Sequence, residues 1–384
     1  MAPVVCVLGT RPEAVKMAPV VHALRRGGVP VRVLSTGQHR ELLRQVLPWL
    51  SLEVDAELGL MRPGESLGEQ LGRMVHALDQ VLARWQPRAV LVQGDTTTAW
   101  AAALVSFYRQ ISLGHVEAGL RTGWLAEPFP EEFHRRGIAL AARWHFAPTP
   151  QARENLLAEG VPPQRIFITG NTVIDTLRQL DLQRLPDPLG LGDDEPLVLV
   201  TLHRREQLQR RLEEVIRAAR RLLEQEPQAV IAWVGHPHPG IQQRLQQQLP
   251  AHPRLFHLEP LEYPVFLGLL ARARVVWTDS GGVQEEAAAL GRPCLVLRNR
   301  TERTEGLTCG AALLVGTRPE PLLEQTRQLL HDPQRWRQMA AAPCPYGDGR
   351  AAERIAAVVR AELGDDAEHS LAENPSPAPE STTQ

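Results

Sequence analysis

Acidic side chains recur where apolar runs end in the first half of this chain. Asp95 closes "VLVQGD", Glu117 closes "LGHVE", and Glu131 with Glu132 opens a helical stretch after "PFP". Plainer readings exist for most of them. Asp95 suits a helix N-cap, a role worth about 0.5–2 kcal/mol, and acids at a helix start are favoured by its dipole. Glu117 is harder to dismiss, because a carboxylate closing a buried strand loses hydration unless it meets a partner or a ligand. Arg121 and Arg135 are candidate partners. Three acids converging on one cleft point to acid–base work on a polyhydroxyl substrate.

Other chemistry-bearing residues sit at matching places. Gly9-Thr10-Arg11 follows the first apolar run and precedes a helix, so backbone N–H groups and a guanidinium can meet an anion there. In "TDSGGVQEEA", Ser280, Gly281 and Gly282 stand at a helix start, where a phosphate can approach the backbone closely. Glu285 and Glu286 follow, and either can accept ribose hydroxyls. "TLHRRE" places His203 at a strand end, as a general acid, a cationic donor to a leaving phosphate, or a solvated loop histidine. Lys16 is the only lysine in the chain. Either that position needs a compact ammonium rather than a planar fork, or one lysine survives by chance. "GHPHP" has two histidines around Pro237 with no carboxylate near in sequence, and no metal site is expected.

The elements that must position these residues alternate. "VVCVLGT", "VRVLSTG", "RAVLVQGD", "ISLGHVEAG", "HFAPT" and "RIFITGN" read as strands, with helical "PEAVKMAPVVHALRR", "TTTAWAAALVSFYRQ" and "PEEFHRRGIALAARW" between them. A Pro-, Gly- and Asp-rich connection over 180–196 follows. The pattern then restarts with "LVLVTLH", "AVIAWVGHP", "LFHLEP", "ARVVWTDS" and "PCLVLRN". This predicts an α/β protein of two doubly wound halves with parallel sheets, and a ligand site in the cleft at the carboxyl ends of the strands. After residue 364 the chain turns polar, acidic and proline-bearing, and 365–384 is expected to be disordered.

Composition narrows the class. At 384 residues, two domains are the better expectation. A net charge of −2 makes no electrostatic case for nucleic acid or an anionic membrane. No apolar run reaches the roughly 20 residues of a membrane helix, and the N-terminus lacks the basic region of a signal peptide. Cys6, Cys294, Cys309 and Cys344 lie far apart, which suits a reducing cytoplasm rather than a disulfide or zinc framework.

Ten stretches carry a resemblance, in order: "GTRPEAVKMAP", "TGQHRELL", "GDTTTAWA", "GHVEAGLRTG", "PFPEEFHRR", "ITGNTVID", "TLHRRE", "TDSGGVQEEA", "TERTEG" and "PYGDGRA". From about residue 4 to 363 the chain resembles the non-hydrolysing UDP-N-acetylglucosamine 2-epimerases. The resemblance implies two Rossmann-like domains of the glycosyltransferase-B type facing a cleft, over 1–172 and 173–349, with a helix near 350–363 crossing back to the first. It also implies a homodimer that interconverts UDP-GlcNAc and UDP-ManNAc without a nicotinamide or other cofactor. A hydrolysing relative, a glycosyltransferase of the same fold and a non-catalytic nucleotide-sugar sensor are the alternatives.

At matching positions the resemblance makes Asp95, Glu117 and Glu131 the proton-transfer and cation-stabilising acids, with His203 assisting departure of UDP. Arg11, Ser280, Gly281 and Gly282 would hold the diphosphate and Glu286 the ribose. Lys16 would be a functional ammonium, and Arg135 would orient the acids. Gln38, His39 and Arg205 are candidates for a second, activating UDP-GlcNAc. Three departures stand out: His134 occupies a position usually held by asparagine, "TERTE" replaces "TERPE", and "TLHRREQ" replaces a glycine-containing form that ends in asparagine.

Overall fold

A computed structural model describes residues 2–38, 40–62, 64–181, 184–192, 195–202, 212–235 and 239–373, with side chains through 364. The first sheet comprises β1 (Val4–Leu8), β2 (Val31–Ser35), β3 (Ala56–Glu57), β4 (Ala89–Gln93), β5 (Ser112–Val116), β6 (Trp144–Ala147) and β7 (Ile166–Ile168). The second comprises β8 (Leu197–Thr201), β9 (Val230–Val234), β10 (Leu255–Leu258), β11 (Val275–Thr278), β12 (Cys294–Val296) and β13 (Ala312–Leu314). Their orders are β3-β2-β1-β4-β5-β6-β7 and β10-β9-β8-β11-β12-β13. Every pairing is parallel. The near-continuous apolar strands, buried on both faces, are what such sheets require.

Each order reverses once, between β1 and β4 and between β8 and β11. A crevice opens at such switch points, outside the strands' carboxyl ends. The loop leaving β1 carries Gly9-Thr10 just before Arg11 opens a helix, the loop leaving β4 carries Gly94-Asp95, and the loop leaving β11 carries Asp279 and Ser280. Thr201 and Thr278 hydroxyls bond across the second switch point at 2.7 Å.

In the first half, helices α1 (Arg11–Arg26), α2 (Arg40–Val46), α3 (Leu67–Trp85), α4 (Thr97–Tyr108), α5 (Glu131–Ala141), α6 (Pro150–Ala158) and α7 (Thr172–Arg178) connect the strands. α1 starts at a capping box in which Thr10 accepts from the Glu13 N–H and Glu13 answers to the Thr10 N–H. Met17, Val20, Val21 and Leu24 of α1 are buried in an apolar cluster shared with α7, Phe266 and Ile355.

The last helix, Ala351–Glu373, begins where Asp175 of α7 accepts from the N–H groups of Ala351 and Ala352. Farther along, its Glu362 receives Trp144 Nε1 at 3.0 Å and Arg143 at 3.3 Å, which fastens it to β6 and the residue before it. It runs past Gly364, where composition predicted order to end. The segment "DDAEHSLAE" is made largely of helix-tolerant residues, and the first proline comes only at Pro375. β3 and α3 are not among the sequence expectations: β3 is two residues long and offers no pattern to read.

Candidate active site

The first half supplies its acids from strand ends. Asp95 follows β4 by two residues, and Thr96, not Asp95, caps α4 by accepting from the Ala99 N–H. The Asp95 carboxylate is therefore left to Arg135 of α5, whose NH2 lies 2.6 Å and Nε 2.7 Å from Oδ2. Glu117 follows β5 directly, with φ +65°. A bulky residue in the left-handed region costs of order 1–3 kcal/mol, and such strain gathers at functional sites. Its Oε2 receives Lys16 Nζ and Gln93 Nε2, each at 2.5 Å.

The second half completes the cluster. Arg303, preceding the short helix Thr304–Thr308, donates to Glu117 Oε1 at 2.8 Å, to Glu285 Oε1 at 2.9 Å and to Glu302 Oε1 at 2.5 Å. Lys16 reaches Glu285 Oε2 at 2.9 Å. Glu302 also takes Arg298 at 2.8 Å and lies 3.6 Å from Arg135. Acids and bases thus alternate across the cleft, with Lys16 and Glu117 from one half and Glu285 and Arg303 from the other, all buried. Gly281 is needed here, because a Cβ there would come within 2.8 Å of the Arg303 guanidinium carbon.

The environments push the carboxyl groups apart. Burial raises Glu117, against Lys16 and Arg303, and the neighbouring Glu285 raises it further. Burial also works on Asp95, but Arg135 and Arg303 outweigh it and hold Asp95 low. Glu285 is likewise held low, because Lys16 and Arg303 overcome its burial. Burial would neutralise Lys16, yet Glu117 and Glu285 keep it firmly charged. Carboxyl groups whose environments push their proton affinities apart in this way are the usual setting for acid–base chemistry.

Several expectations need correction. Arg121 does not meet Glu117; it pairs with Glu159 at 2.7 Å. Arg135 meets Asp95, Glu132 and Glu302 instead. The Gly9 and Thr10 N–H groups do not face a ligand, because Glu13 Oε2 occupies both at 3.0 and 2.7 Å. Arg11 extends to the Leu261 carbonyl at 3.0 Å and lies over Tyr263. The helix Gly281–Ala289 starts at Gly281, so Glu285 and Glu286 lie beyond its first turn and the dipole does not explain them.

The remaining predicted residues fall as follows. Ser280 is the N-cap of Gly281–Ala289, its N–H donating to Thr278 Oγ1, and a Cβ at Gly282 would meet only open space. Glu286 accepts the Tyr263 hydroxyl at 2.6 Å, and burial pushes it up to about 7. Glu131 opens α5 half-buried, whereas Glu132 is fully buried and bonds Arg135 and the Thr122 and Gly123 N–H groups. Gln38 accepts from Thr98 Oγ1 at 2.9 Å. His203, His39 and Arg205 lie outside the described residues, as do His236 and His238 of "GHPHP". Among the described residues no group of His, Cys, Asp or Glu is arranged to hold a metal ion, and no helix is long and apolar enough to cross a membrane.

Sequence reasoning missed Gln93, Glu302 and Arg303, and named Glu132 beside Glu131 without giving it a partner. The signal available was the density of charge in "RNRTERTEG", too rich for an ordinary connection yet buried at Arg298, Glu302 and Arg303.

Comparison with known proteins accords with this geometry. The family model described as UDP-N-acetylglucosamine 2-epimerase matches residues 22–360. The UDP-N-acetylglucosamine 2-epimerase of Escherichia coli strain K12 is 42% identical over 363 residues, covering 92% of this chain and 96% of the relative. That of Bacillus subtilis strain 168 is 41% identical over 355 residues, with 92% and 93% covered. The crystal structure of UDP-GlcNAc 2-epimerase from Neisseria meningitidis bound to UDP-GlcNAc superposes with a TM-score of 0.88 at 37% identity, covering 94% of this chain and all of that one. Two parallel sheets facing a cleft lined by strand-end acids, a fold of the glycosyltransferase-B type, and matches over nearly the whole length place the chain in the UDP-N-acetylglucosamine 2-epimerase family.

Proposed function

We propose that the protein interconverts UDP-GlcNAc and UDP-ManNAc by eliminating and re-adding UDP, without hydrolysis. The observation that carries this reading is the placing of two carboxyl groups at the ends of the neighbouring strands β4 and β5. Half-buried Asp95 is held low by Arg135 and Arg303, and buried Glu117 is raised by its burial. The C2 proton is not α to a carbonyl, so a base alone removes it poorly. Breaking the C1–O bond, with its electron pair leaving on UDP, makes C1 cationic and C2–H acidic. A carboxylate then takes the proton, a C1–C2 double bond forms, and 2-acetamidoglucal and UDP stay bound. Return of a proton to the opposite face of C2 and of the UDP oxygen to C1 completes the inversion.

Asp95, Glu117 and Glu131 serve as the proton-transfer and cation-stabilising acids. Lys16 and Arg303, both bonded to Glu117, pull its affinity for a proton down against the burial that raises it. Arg11, Ser280, Gly281 and Gly282 hold the diphosphate, with the N-terminus of Gly281–Ala289 favouring its charge. Glu286 accepts ribose hydroxyls, and His203 assists departure of UDP. Gln38, His39 and Arg205 take a second UDP-GlcNAc.

We also assign a homodimer. Trp100 and Phe107 of α4, and Phe133 and Leu140 of α5, stand seven residues apart on their helices and so share a face. Phe107, Phe133 and Leu140 are exposed, Leu140 by 87%. An apolar stripe of this kind marks a protein contact.

Proton NMR of the protein with UDP-GlcNAc in D2O tests the reaction. UDP-ManNAc approaching equilibrium with deuterium at C2 is expected. Free ManNAc and UDP would assign the chain to the hydrolysing class, and no conversion would overturn an epimerase reading.

A further inference from the structure

Two histidines outside the acid cluster hold consecutive carbonyls of the loop that carries Asp95. His115 of β5 places Nε2 2.8 Å from the Gly94 oxygen, and His134 of α5 places Nδ1 2.8 Å from the Asp95 oxygen. Carbonyls only accept, so each named ring nitrogen carries a hydrogen. Both rings are buried, and burial holds both below the ordinary histidine value, His115 at about 3. They are therefore neutral, His115 as its Nε2–H tautomer and His134 as its Nδ1–H tautomer.

The loop has reason to need this. Gly94 turns with φ +70°, a conformation of its own that the strand ladder does not impose, although its N–H still reaches the Val116 oxygen at 3.0 Å. The chain direction after Gly94 decides where the Asp95 carboxylate stands. α5 grips that residue twice from adjacent positions: His134 takes its carbonyl and Arg135 its Oδ2. The His134 ring is itself braced by Trp100, which lies parallel to it at 6.3 Å and against Gly137, where a Cβ would come within 2.5 Å of the indole.

We propose that His134 and His115 are positioning residues for Asp95, fixing the Gly94–Asp95 turn so that the carboxylate keeps its place against the substrate. The inference rests on the reading of Asp95 as a reacting acid. A displacement near 1 Å can cost about 10²-fold in rate, so loss of either hydrogen bond lowers kcat while nucleotide contacts, and with them KM, stay.

Side-chain geometry supplies a discriminating experiment. An Asn amide nitrogen occupies the place of Nδ1, and a Gln amide nitrogen that of Nε2. His134→Asn and His115→Gln should keep kcat within about threefold, whereas His134→Gln and His115→Asn should lose roughly 10–100-fold, with KM little changed in all four. Equal behaviour of Asn and Gln at either position would overturn the proposal for that histidine. Because a variant can fail to fold, ¹⁵N–¹H NMR of the wild-type rings gives a second reading. Neutral His134 protonated on Nδ1 and neutral His115 protonated on Nε2 are expected, and the opposite tautomer at either ring would overturn its role. That spectrum needs no turnover, so a wild-type protein inactive on UDP-GlcNAc would remove the proposed reaction and leave the clamp separately tested.

Discussion

Lys16 Nζ stands between two carboxylates from different halves of the molecule, 2.5 Å from Glu117 and 2.9 Å from Glu285. The Arg303 guanidinium already spans the Oε1 atoms of the same two acids, and the chain's only lysine supplies a compact ammonium to their Oε2 atoms. All three side chains are nearly sealed from solvent, so the arrangement holds only while its charges balance.

Lys16→Met should therefore destabilise the protein by about 3–5 kcal/mol, because two buried carboxylates then face each other. Adding Glu285→Gln should restore much of the loss by removing one of them. Denaturant unfolding of the single and double variants measures the coupling. Additive effects would show that Lys16 does not join these acids.

Glu117→Gln keeps the shape and the Gln93 contact but ends proton transfer at that position. Turnover should fall by about 10²–10⁴-fold while UDP binding is retained. Calorimetric titration with UDP and NMR rates separate the two. Near-normal turnover would remove Glu117 from the mechanism.

Stability should depend on pH through Glu286, which burial pushes from 4.5 up to about 7. Its folded value lies above its unfolded one, so the folded state binds more protons between these limits. Stability is then greatest below the window, falls as pH rises through it, and levels off above about 7. Burial raises Glu13 and Glu117 as well, with the same sign, whereas Asp95 and Glu285, held low, act at more acidic pH. Buried His115, His134 and His145, held low, act with the opposite sign over part of that range, so the Glu286 contribution is read against the variant. The melting temperature of the wild type relative to Glu286→Gln should fall between about pH 5 and pH 7.5. A slope unchanged in the variant would place its source elsewhere.

Leu140→Glu puts a charge in the middle of the apolar stripe on α4 and α5. Light scattering should report a dimer for the wild-type chain and a monomer for the variant, with the fold intact because Leu140 is exposed. A monomeric wild type would end the homodimer assignment.

The α/β class was legible in the sequence because parallel strands buried on both faces must be apolar throughout, and runs such as "VVCVL", "AVLVQ" and "VIAWV" admit few other readings. The family was legible because its motifs gather where strands end, and each has to supply particular residue types in a fixed local order. Pairings across the cleft were not. Glu117 meets Lys16 and Arg303 at separations of 101 and 186 residues, and no local pattern distinguishes those partners from Arg121, only four residues away. The choice was made by the strand orders, which bring the ends of β1, β4 and β5 together and set the second half's arginine against them. The same holds for Glu132, rather than its neighbour Glu131, as the partner of Arg135 within α5. Adjacent residues of similar chemistry differ by roughly 100° around a helix, and only the packed neighbours decide which one faces inward.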